Sequence, residues 1–100
     1  MAVGRDSDSA IRMRALRRAH SKDFRTAKAF AAFLGIPERN WNNYERGYPV
    51  GSAAALQICQ VIPAVTLDWI QRGKTGGLTV SLARLLEEAE AEEKAKTGPL

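Results

Sequence analysis

Apolar residues recur along most of this chain at intervals of three and four, and no stretch alternates apolar with polar positions as a half-buried strand would. The pattern predicts an all-α fold with no strand and no internal repeat. Over 11–20, Met13, Leu16 and Ala19 stand at three-residue spacing among Arg12, Arg14, Arg17 and Arg18, an amphipathic helix with an arginine-rich face. Thr26 can accept a backbone N–H as an N-cap, and Ala27, Phe30, Ala31 and Leu34 follow at i, i+3, i+4 and i+7, so a second helix spans 27–34 and ends at Gly35. Pro37 suits the first position of a third helix over 37–46, with Trp41 and Tyr44 as its buried face and Gly47 after it. Ser52 is expected to cap a fourth helix that carries Leu56, Cys59 and Ile62 inward and stops at Pro63. Thr66 caps a short fifth helix with Leu67, Trp69 and Ile70, closed by Gly73. Leu82, Leu85 and Leu86 mark a last helix trailing into the acidic run from Glu87 to Glu93, which reads as a solvated, fraying face whose charge keeps it off polyanions.

Length and composition narrow this picture. One hundred residues leave room for one compact domain, expected at 11–73, with a disordered tail at 1–10, a flexible joint at 74–77 and a C-terminal helix and tail at 78–100. The net charge of +4 favours a polyanionic partner, and it is unevenly spread: up to Val50 ten Lys or Arg face five Asp or Glu, whereas five face six from Gly51 onward. The single cysteine, Cys59, allows no internal disulfide and sits on an apolar stripe as a core residue. With one histidine there is no cluster spaced for a metal, so no metal or other cofactor is expected. Neither a signal peptide nor a membrane-spanning apolar run is visible, and a cytoplasmic, nucleoid-associated protein is expected. Catalysis would need a histidine-paired nucleophile, a carboxylate pair in a cleft or a glycine-rich phosphate loop; the chain offers none, so it is not read as an enzyme.

The third helix carries the candidate chemistry. With Trp41 and Tyr44 inward, Glu38, Arg39, Asn40, Asn42 and Asn43 are left outward or at the rim. Asparagine is up to about 0.7 kcal/mol less favourable than alanine in a helix, so three within four residues need a reason beyond structure. Asparagine can pair bidentately with adenine and arginine with guanine, which makes Arg39, Asn40 and Asn43 a base-reading set for double-stranded DNA. Glu38 either accepts from cytosine or serves the helix dipole. Asn42 and Arg46 lie towards the DNA backbone, and Lys22, Arg25, Thr26 and Lys28 supply sequence-independent phosphate contacts or stay solvated.

Two short helices about a glycine turn, with Ala31 where they cross, resemble the phage repressor and Cro-like helix-turn-helix family, also called the xenobiotic-response-element family. The resemblance covers Ile11 to Gly73 and rests on Arg12-Met13-Arg14-Ala15-Leu16-Arg17, on Ala31 with Gly35, on Tyr44-Glu45-Arg46-Gly47 and on Leu67-Asp68-Trp69-Ile70. Trp41 stands where the family commonly has an aliphatic residue. The resemblance implies a five-helix lambda-repressor-like domain followed by the extra C-terminal helix, a recognition helix at 37–46, and an ion pair between Arg17 and Glu45. It also implies a transcriptional regulator that binds as a homodimer to half-sites about 34 Å apart. A domain this short, with no separate ligand or polymerase-recruiting module, reads as a repressor, and no small-molecule effector is evident. Trp69, Ile70, Leu78, Leu82, Leu85 and Leu86 are the dimer candidates, unless they close the monomer's own core. The competing expectation is a protein-interaction module, such as an antitoxin-like partner, that keeps the helix pair as scaffold.

Overall fold

Local capping sets most of the helix boundaries. The computed structural model describes residues 7–97, which form six α-helices and no strand: α1 (Asp8–Ala19), α2 (Ala27–Leu34), α3 (Glu38–Glu45), α4 (Ser52–Val61), α5 (Leu67–Arg72) and α6 (Val80–Thr97). The Ser7 hydroxyl accepts the Ala10 N–H at 3.2 Å and starts α1 three residues earlier than the apolar pattern predicts. Residues 7–10, assigned above to a disordered tail, therefore belong to the first helix, and Ala10 is fully buried; residues 1–6 of that tail lie outside the described residues. Thr26 and Thr66 accept the N–H groups of Ala29 and Trp69 and so cap α2 and α5. Thr79, unnoticed in the sequence, caps α6 through the Leu82 N–H. The joint at 74–77 folds into a turn closed by the Leu78 N–H on the Thr75 carbonyl.

The turn between α2 and α3 depends on Gly35. Its φ of +74° lies in the left-handed region, and the N–H groups of Gly35 and Ile36 return to the carbonyls of Ala32 and Ala31. A Cβ there would also stand 2.8 Å from Gln57 Nε2, the nitrogen that donates to the Leu34 carbonyl. Pro37 occupies the N-cap of α3 rather than its first helical position.

Packing radiates from α1, which lies against α3, α5 and, most extensively, α6; α2 packs on α3 and α4, and α4 on α5. Met13 and Leu16 meet Phe30, Trp41, Ile58 and Trp69 in one continuous core. One inward assignment for α4 is corrected. Ala55 and Ile58 are fully buried and Leu56 is 49% exposed, while Cys59 and Ile62 pack against the core and are partly buried. In SAAALQICQVI the apolar residues are dense enough to define two overlapping faces, and the contact with α5 and α2 selects the one centred on Ile58.

The dimer candidates divide in the same way. Trp69, Ile70 and Leu86 are buried in this chain's own core, with Leu78 and Leu82 packed against it, so only Leu85 remains on the surface. The acidic run is corrected too: Glu93 is 6% exposed, and with Leu86 and Ala89 it forms the buried seam of α6. Among the described residues no helix is long and apolar enough to cross a membrane.

Candidate nucleic-acid interface

The arginines of α1 are committed inside the protein. Arg12 Nε and Nη2 donate to the Ile70 carbonyl at 3.3 and 3.2 Å, and Arg14 Nη1 donates to the Glu45 carbonyl at 2.7 Å. Each thus satisfies a carbonyl in the last turn of a neighbouring helix, α5 or α3, where the intrahelical ladder leaves acceptors open. Burial lowers the Arg12 guanidinium from its ordinary value, against the pull of Glu90 and Asp8. Arg14 Nε also meets Glu93 at 2.8 Å, and Arg18 reaches both Glu93 and Glu92.

Arg17 faces α3. Its Nε and Nη2 donate to Glu45 Oε2 and Oε1 at 2.5 and 2.9 Å, a bidentate pair that raises the guanidinium above its usual value chiefly through those hydrogen bonds. Glu45 accepts a third bond, from the Trp41 indole N–H at 2.5 Å. Trp41 thus both fills the core and donates to Glu45, which an aliphatic side chain there would not do. Phe30 meets the Trp41 ring edge-on at 5.3 Å, and Tyr44 does so at 6.4 Å. The inner side of α3 is therefore held by packing, an ion pair and a capped C-terminus.

Its outer side is uncommitted. Glu38, Arg39, Asn40 and Asn42 are exposed, and none of their side chains makes a hydrogen bond or ion pair among the described residues. Arg39, Asn43 and Arg46 lie in one row at i, i+4 and i+7. Asn40 is turned to the flank, where with Tyr44 it lines a shallow groove against Ala53, Ala54 and Gln57 of α4. The set expected on one face is thus a row plus a flanking residue. Asn43 differs from its neighbours: it is half-buried, and its Oδ1 accepts from Arg46 Nη2. Arg46 in turn lies over the Tyr48 ring, 5.8 Å from its centroid.

Between α1 and α2 and in the first turn of α2, Lys22, Arg25 and Lys28 are exposed and make no hydrogen bond or ion pair among the described residues, and Thr26 is occupied as a cap while remaining exposed. The start of α4, with Gly51 at the N-cap, has no capping side chain, and Ser52 and Ala53 are exposed. Two features of the site were not read from the sequence: Tyr48, and the uncapped start of α4, whose Ser52 had been expected to supply the cap. Among the described residues no group of His, Cys, Asp and Glu is arranged to hold a metal ion. No protein-family model matches the chain, and no characterised protein or solved structure was found to be similar to it.

Proposed function

We propose that this chain is a sequence-specific double-stranded-DNA-binding protein of the helix-turn-helix type, in which α2 and α3 form the helix pair and α3 enters the major groove. One observation carries the reading: α3 is fixed on one side by Trp41 and Glu45, while away from it Arg39, Asn40 and Asn42 have no side-chain partner among the described residues. A rigid helix with unspent donors and acceptors suits base-edge recognition, because little ordering is needed on binding. Lys22, Arg25 and Lys28 add phosphate attraction. Members of the Cro-like family that the sequence resembles act as transcriptional regulators, and repression by a homodimer on a palindromic site is the simplest such role.

The test is affinity selection from a random duplex pool at near-physiological salt, with the wild-type protein and with Arg39→Ala. A palindromic motif that loses one base position in the variant is the expected result. Folded protein that enriches no sequence overturns the proposal. A second reading, a protein-interaction module, is favoured by the outer face of α6, where Val80 is 77% and Leu85 45% exposed. On that reading Arg39→Ala is silent and Leu85→Ser is not.

A further inference from the structure

We infer that Asn43 and Tyr48 are positioning residues that hold Arg46 as a phosphate clamp at the end of α3, and that Asn43 is not itself a base reader. The inference rests on the DNA-binding reading of α3 and deepens it. After Arg46 the chain turns through Gly47, whose φ of +107° brings the Tyr48 N–H back to the Asn43 carbonyl at 3.0 Å, with the Gly47 N–H on the Tyr44 carbonyl at 3.1 Å. This double closure of the helix end fixes where Tyr48 starts. Its ring then lies under the Arg46 guanidinium at 5.8 Å, within cation–π range. From the other direction Asn43 Oδ1 accepts one N–H of the same guanidinium.

An arginine held by a ring face and an amide carbonyl gives up less side-chain freedom on binding than a free one. Its remaining N–H donors form a planar fork that matches phosphate oxygens. Bidentate pairing of Asn43 with adenine would need both its amide atoms in the plane of the base, whereas one lone pair of its acceptor is spent on Arg46 and that bond sets the amide's orientation. Arg39 has no such support: it is exposed and makes no side-chain bond among the described residues. One row of α3 therefore ends in two different arginines, an adaptable one at Arg39 and a preset one at Arg46.

The experiment measures binding of the full chain to its selected duplex, and to duplexes with single-base changes, over a salt series. The proteins are wild type, Asn43→Ala, Tyr48→Leu, Tyr48→Phe, Arg46→Ala and the double variants with Arg46→Ala. Asn43→Ala and Tyr48→Leu are each expected to weaken binding about two- to fivefold on every duplex, leaving base preference unchanged, while Tyr48→Phe retains wild-type affinity. Arg46→Ala is expected to lower the salt slope by about 0.9. In its background the Asn43 and Tyr48 substitutions become silent, an outcome that loss of folding would not produce. A base position that relaxes in Asn43→Ala, or undiminished effects in the Arg46→Ala background, overturns the inference. Absence of binding to any duplex overturns the DNA reading instead. The 15Nε relaxation of Arg46 in the DNA-free protein then still decides the positioning claim: the side chain must be ordered in the wild type and mobile in Asn43→Ala and Tyr48→Leu.

Discussion

Two sets of basic residues share the first half of this chain and have opposite fates. On α1, Arg12, Arg14, Arg17 and Arg18 are turned onto carbonyls and carboxylates of α3, α5 and α6. Around α2 and on α3, Lys22, Arg25, Lys28 and Arg39 are exposed and pair with no acidic group among the described residues. The difference lies in what else is nearby. The α1 arginines sit on a helix surrounded by neighbours, where a long side chain can bury its stem and still find an acceptor at a helix end. The second set stands where no other element of the described chain comes over it. A basic balance in a sequence thus overstates the charge available to a partner, and the structure identifies which half of it is free.

The sharpest way to break this comparison is to remove the acceptor that α1 and α3 share. Glu45→Ala leaves Arg17 without its carboxylate and the fully buried Trp41 indole without its acceptor. A loss of about 2–4 kcal/mol in urea unfolding is expected, because the buried indole N–H loses its acceptor and the part-buried Arg17 loses its carboxylate. Adding Arg17→Met should recover part of it by removing the stranded charge. A loss under about 1 kcal/mol would mean that the α1 arginines are held no more firmly than the exposed set.

Much of the layout was legible because it is local. Thr26, Gly35 and Thr66 set ends of α2 and α5 through contacts within a few residues, and the spacing of Phe30, Ala31 and Leu34 was enough to orient α2. The outward residues of α3 followed from Trp41 facing inward, and the structure leaves Glu38, Arg39, Asn40 and Asn42 exposed. What escaped reading was non-local. The burial of Glu93 depends on Arg14 and Arg18, 79 and 75 positions earlier, and an acidic run carries no mark of which member will meet a cation. The inward face of α4 was ambiguous for a related reason: alanines and larger apolar residues fill both candidate faces, and only neighbouring helices choose between them. The Arg46–Tyr48 contact lies close in sequence, yet it depends on the backbone path through Gly47.

Acid titration sharpens the same comparison with a smaller effect. Burial raises the Glu93 carboxyl, but hydrogen bonds from Arg14 and Arg18 reverse this and leave it below its ordinary value. A depressed carboxylate contributes stability above its unfolded value, near pH 4.3, and that contribution is lost as pH falls through the lower folded value. Glu90 has the opposite sign. Burial raises it, with the Trp69 indole and Arg12 pulling partly the other way, so its contribution is present at low pH and lost as pH rises through the raised value. Glu93→Gln is therefore expected to cost about 1–3 kcal/mol at neutral pH and to flatten the acid limb of the stability profile. Glu90→Gln is expected to leave that limb and to stabilise slightly at neutral pH. Identical pH profiles for both variants would count against the Glu93 bridge between α1 and α6.

The exposed set should give the smallest change in stability and a change in binding alone. Glutamine at Lys22, Arg25 or Lys28 removes a charge that bonds to nothing in the described chain, so unfolding should move by no more than about 0.5 kcal/mol. If these residues meet phosphates, each substitution lowers the slope of log affinity against log salt by about 0.9 and weakens all duplexes alike. The slope distinguishes a phosphate contact from a charge that merely contributes to the overall field, because a contact releases a counterion whereas a distant charge acts through screening. A residue that leaves the slope unchanged is solvated surface, and the DNA-facing side proposed for α2 would then be narrower than its charge implies.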